Sequence, residues 1–71
     1  MTKLGTYLAA KSVNKSEISR KTGLSKARIN SLSMSAASHL RAEELVLIAL
    51  AIGVDPAEMQ RELYGNLKIK K

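Results

Sequence analysis

The chain has 71 residues, enough for one small domain with little core to spare. It carries no cysteine, one histidine and only two aromatic residues, Tyr7 and Tyr64. That excludes a disulfide framework, a thiolate nucleophile, a Cys/His metal centre and a broad base-stacking surface. The net charge of +6 is unevenly spread. Residues 1–41 hold eight basic side chains against the single acid Glu17, a balance of +7, whereas residues 42–71 come to −1. A basic half attracts a polyanion such as duplex DNA, whose condensed counterions are released on binding; the bland alternative is a solvated surface.

In chain order, Leu4, Tyr7 and Leu8 fall at i, i+3 and i+4 and predict a first helix, capped by Thr2 and running to about Lys11. Asn14 is the next N-cap. Glu17 three residues on suggests a capping box, and Val13 with Ile18 a hydrophobic staple. The second helix then covers Lys15 to Thr22. Gly23 ends it, because a left-handed terminal residue costs glycine least. Leu24 fills the corner, and Ser25 caps a third helix from Lys26 to about Ser33. Ile29 and Leu32 face inward, so Ala27, Asn30, Ser31 and Met34 point outward at about 100° per residue. Lys26 and Arg28 flank them at the helix start.

Ser33 to Ser38 (SMSAAS) reads as a loop, and His39 and Leu40 lead into a fourth helix over about Arg41 to Ile52. Leu45, Ile48, Ala49 and Ile52 form its inner stripe. Leu47 and Leu50 lie on another side: either helix five or the tail covers them, or they form a homodimer interface. Gly53 ends helix four. Asp55-Pro56, with Glu58 three past the cap, starts a fifth, which buries Met59 and Leu63 and stops at Gly65-Asn66. Residues 1–66 thus form one all-α, five-helix domain, followed by a basic tail at 67–71. The longest apolar run, Leu45 to Ile52, has eight residues, against the roughly 20 of a membrane span. With no signal sequence either, a soluble cytoplasmic protein is expected.

The outward residues of the third helix suit a DNA groove, where a helix N-terminus approaches base edges and flanking cations reach phosphates. Lys26 has reach for guanine O6 and N7 or for phosphate. Asn30 suits adenine or a backbone oxygen, and Ala27 and Met34 suit a thymine methyl. Arg28 could otherwise pair with Glu17 or Glu43, and Lys15 could simply be solvated.

The spacing Lys15…Ile18-Ser19…Gly23-Leu24-Ser25…Ile29…Leu32, followed by Ala42 to Met59 (AEELVLIALAIGVDPAEM), resembles the Cro/repressor (Xre-like) helix-turn-helix family. The resemblance covers about nine-tenths of the 71 residues. It implies a lambda-repressor-like five-helix DNA-binding domain. It places base reading at Lys26, Ala27, Arg28, Asn30 and Ser31, and phosphate binding at Lys15, Ser25, Ser35, Ser38 and His39. Two departures stand out. Serines and alanines replace the family's usual charged residue and glycine after the reading helix and its proline before helix four. Ser19 replaces the usual alanine, with its hydroxyl expected to bond back to its own helix.

The functional expectation is a double-stranded DNA-binding transcriptional repressor acting as a homodimer. It needs no cofactor and no metal, and it is not an enzyme: no histidine is placed beside a nucleophile, and so small a domain offers little concave space. The alternative is an antitoxin-like module that neutralises a toxin-like protein partner and regulates its own operon.

Overall fold

The computed structural model describes residues 1–65 and 67. Five helices lie among them: α1 (Lys3–Ala10), α2 (Lys15–Thr22), α3 (Lys26–Met34), α4 (Ala42–Ala51) and α5 (Pro56–Tyr64). Asn66 and residues 68–71, and with them most of the expected basic tail, lie outside the described residues. No helix among the described residues is long and apolar enough to cross a membrane.

Local chemistry sets the boundaries. Thr2, Asn14, Ser25 and Asp55 each accept a backbone N–H of the helix they precede, as capping residues do. Gly23 ends α2 with φ 80°. Gly53, at φ 78°, ends α4, where the Val54 N–H reaches Ala49 O at 2.9 Å and the Gly53 N–H reaches Leu50 O at 3.3 Å. That pair of bonds satisfies two of the carbonyls a helix end leaves over.

Each helix supplies the core: Leu4 and Leu8, Ile18, Ile29 and Leu32, Leu45, Ile48 and Ala49, Met59 and Leu63 are buried. α1 and α2 both pack on α3, α2 also on α4, and α5 closes the bundle against α4 and α1. Val13 and Leu24 pack at the rim.

Three local expectations are corrected. Glu17 makes no capping box; its carboxylate takes Arg20 at 2.9 Å and Lys21 at 3.5 Å instead, so the Asn14 side chain alone caps α2. The box-type contact forms at α4, where the Arg41 N–H donates to Glu44 Oε1 at 2.9 Å. Ser19 does not bond back to its helix: its hydroxyl donates to Leu24 O at 2.6 Å, tying α2 to the turn. Finally, α3 continues through Ser33 to Met34. Ser33 is buried and its hydroxyl donates to Ile29 O at 2.9 Å, so a residue read as loop is part of the helix interior.

Candidate nucleic-acid interface

α2 and α3 are joined by a turn held from both sides. Ser19 Oγ grips Leu24 O, while Thr22 Oγ1 donates to Ile18 O at 2.7 Å and accepts the Leu24 N–H at 3.1 Å. Ser25 then starts α3, its hydroxyl accepting the Arg28 N–H at 3.0 Å. With Ile29 and Leu32 anchored in the core, Lys26, Ala27, Asn30 and Met34 stand exposed and Ser31 half-buried. Lys15, at the start of α2, joins this side: its Nζ donates to Asn30 Oδ1 at 3.3 Å. Among the described residues neither Lys15 nor Lys26 forms an ion pair with a carboxylate.

Arg28 departs from its expected outward direction. Its guanidinium turns toward α4, where Nε donates to Glu44 Oε2 and a terminal nitrogen to Glu44 Oε1, each at 2.9 Å. The same nitrogen donates to His39 O at 2.9 Å. The carboxylate partner is Glu44, neither Glu17 nor Glu43. A planar guanidinium matches both carboxylate oxygens at once, which makes this pair directional. The Glu44 side chain is only 6% exposed, against 32% for Arg28. The hydrogen bond from Arg28 is the main reason the Glu44 carboxyl is held below its ordinary range. Desolvation opposes the shift, and the Arg41 N–H adds to it. Arg28 is correspondingly raised, first by its hydrogen bond to Glu44. Sequence reasoning missed Glu44, although its position four residues before Ile48 places it on the inner stripe, where a carboxylate requires a cation.

The other end of α3 is fastened to α1. The Thr2 N–H donates to Ser33 O at 2.9 Å, and the Thr2 hydroxyl lies 2.6 Å from Leu32 O. The positive end of α1 therefore satisfies terminal carbonyls of α3. Gly5 makes the approach possible, since a Cβ there would collide with the Ser33 carbonyl.

The segment after α3 is mostly self-contained. The Ser35 hydroxyl accepts the Ala37 N–H at 3.3 Å, and the Ser35 carbonyl accepts the Ser38 N–H at 3.1 Å. Ser38 lines a shallow cleft with Thr2, Lys3, Leu40, Leu63 and Tyr64, on the α1–α5 side. His39 is exposed and its carbonyl is used by Arg28. The structure thus gathers Lys15, Lys26, Ala27, Asn30 and Ser31 around α3, whereas Ser38 sits apart from them.

Leu47 (39% exposed) and Leu50 (63%) share one side of α4 with Val46 (42%), and all three remain exposed in the described structure. Val46 extends the apolar strip that the sequence placed at the two leucines.

A short helix, a glycine turn and a second helix with a polar, basic outer face define a helix-turn-helix DNA-binding domain. A scan against protein-family models matches residues 3–60 to the Cro/C1-type HTH DNA-binding domain, and the chain belongs to that family. Comparisons with curated proteins and with solved structures found no match.

Proposed function

We propose that the protein is a sequence-specific regulator of transcription, a repressor that occupies a near-palindromic operator as a homodimer. The observation that carries this reading is the outer face of α3. Ala27, Asn30, Ser31 and Met34 are spaced along one side of a helix fastened at both ends, with the cations Lys26 and Lys15 beside them. Lys26, Ala27, Asn30 and Ser31 meet base edges. Ser25 meets phosphate through its position at the α3 N-terminus, where backbone N–H groups attract an anion. Lys15, Ser35 and His39 add contacts to the sugar-phosphate backbone. Arg28 belongs to this site as a brace behind the reading face, its charge already matched by Glu44.

The exposed Val46, Leu47 and Leu50 support the dimer, because an apolar strip of this kind is most stable when another surface covers it. Two-fold symmetry would set the two α3 helices about 34 Å apart, one turn of B-form DNA. The same strip supports a second reading, an antitoxin-like protein whose α4 docks on a partner protein.

Selection of bound duplexes from a random pool, at physiological salt, tests the first reading. The expected result is one enriched, near-palindromic motif whose half-sites are about one helical turn apart. A pool that emerges without any enriched motif would refute sequence-specific regulation.

A further inference from the structure

The chemistry of a reading face depends on which of its polar atoms remain free. Lys15 Nζ lies 3.3 Å from the Asn30 side chain, and an ammonium carries donors only, so the amide oxygen must face it. The Asn30 amide nitrogen is thereby turned the other way, presenting two N–H donors. The Lys15 ammonium retains further N–H groups of its own. Among the described residues no carboxylate pairs with Lys15. Glu17 is engaged with Arg20 and Lys21, and Glu44 is buried against Arg28. Lys15 and Asn30 together therefore offer donors to whatever approaches, and the oxygen that could accept is held beside a cation.

In the major groove this pattern has one good match. Guanine sets two acceptors, N7 and O6, side by side; adenine sets an N6 donor beside N7, and cytosine presents the N4 donor. An asparagine free to rotate suits adenine, accepting from N6 and donating to N7. An asparagine whose oxygen is held by lysine does not. We propose that Lys15 and Asn30 act as one unit that recognises a guanine in each half-site, donating to its N7 and O6. This rests on the reading that α3 enters the major groove. It moves Lys15, at the start of the preceding helix, from the sugar-phosphate contact given to it above to the base edge, with a part in specificity.

The test uses duplexes enriched by the wild-type chain, with each of the four bases and 7-deazaguanine placed at the candidate position. Competition binding is measured at fixed salt for the wild type, Lys15→Met and Asn30→Asp. Both positions are exposed, and thermal melting checks that the variants fold as the wild type does. For the wild type, replacing the guanine by adenine or 7-deazaguanine weakens binding about tenfold. Lys15→Met frees the amide and moves the preference to adenine. Asn30→Asp puts an acceptor where the amide nitrogen stood and moves it to cytosine. If both variants keep every base preference and only lose affinity with a shallower salt dependence, the pair holds phosphate and the proposal is overturned. A wild type that enriches no sequence overturns instead the assignment of α3 to the groove.

Discussion

Gly5→Ala separates intrinsic helix propensity from the packing of α1 on α3, because the two predict opposite signs. Gly5 lies inside α1, where alanine is the better helix former by about 1 kcal/mol. Propensity alone therefore predicts stabilisation. The structure predicts the reverse. A Cβ at Gly5 would lie 3.0 Å from the Ser33 carbonyl carbon, closer still to its oxygen, and 2.5 Å from Met1 Cγ. The methionine can swing away; the backbone carbonyl can retreat only if α1 and α3 separate. Overpacking of this kind costs roughly 1–3 kcal/mol. Separation also weakens the bonds from Thr2 to Leu32 O and Ser33 O, at about 1 kcal/mol each. After the propensity gain, the net loss is about 2–4 kcal/mol, which for a domain of this size lowers Tm by roughly 10–30 °C. Thermal melting by circular dichroism measures it. Thr6→Ala, at an exposed position of the same helix, is the control and raises Tm slightly. A Gly5→Ala protein that melts at or above the wild-type temperature would show that the α1–α3 approach does not constrain the fold.

Three further outcomes follow from the polar and apolar features of α4 and from Arg28, which pairs with it. Glu44→Gln removes a buried carboxylate held by Arg28 and should cost about 1–2 kcal/mol at neutral pH, toward the low end because Arg28 stays one-third exposed. The Glu44 carboxyl titrates below its ordinary value of 4.5 in the folded chain, so its contribution is present above that value and disappears as pH falls through the lower, folded-state pKa. Melting curves should show the wild type and Glu44→Gln converging below about pH 4.5, and a gap that stays constant into acid contradicts the pairing. In DNA binding, Arg28→Ala should lower affinity yet leave the slope of log K against log salt nearly unchanged, since Glu44 already neutralises that charge; a slope that falls by a full unit means that Arg28 contacts phosphate. Leu47→Glu combined with Leu50→Glu should convert the proposed dimer to a monomer in sedimentation velocity, and an unchanged mass rules out this side of α4 as a dimer interface.

The parts of the fold that were legible in the sequence depend on neighbours a few residues apart. Asn14, Ser25 and Asp55 announce helices because a cap bonds within its own first turn, and Gly23 and Gly53 announce ends because φ near 80° is a property of one residue. Ile29 and Leu32 follow from periodicity. What escaped depends on partners distant in sequence. Glu44 looks like an ordinary first-turn acid until Arg28, 16 residues earlier, is seen against it. Arg28 looks like a reader for the same reason: its spacing places it near the outer face, and the carboxylate on α4 and the His39 carbonyl draw it inward. Ser33 looks like loop because small polar residues are weak helix formers; it becomes helical because Ile29 O satisfies its hydroxyl and Thr2 satisfies its carbonyl. The Lys15–Asn30 contact spans two helices and had no local signature.

These distant contacts share one cause. On the reading proposed above, α3 shows polar and cationic side chains to a nucleic acid and so has little apolar surface left for its own attachment; it commits only Ile29 and Leu32 to the hydrophobic core. Hydrophobic burial is also non-directional, so two aliphatic anchors leave the helix free to roll or slide in its seat. Directional bonds supply what is missing. Arg28 fixes the first turn to Glu44 and His39 O, Ser19 and Thr22 fix the entering turn, and Thr2 fixes the last carbonyls, with Gly5 allowing the close approach. Base recognition discriminates by hydrogen-bond geometry, which a misplacement of an ångström abolishes, so if α3 reads bases as proposed, the rigidity of its seat bears on specificity more than on stability. A change to any one bracket should therefore reduce discrimination between the preferred and scrambled duplexes by more than it reduces the fraction of protein folded.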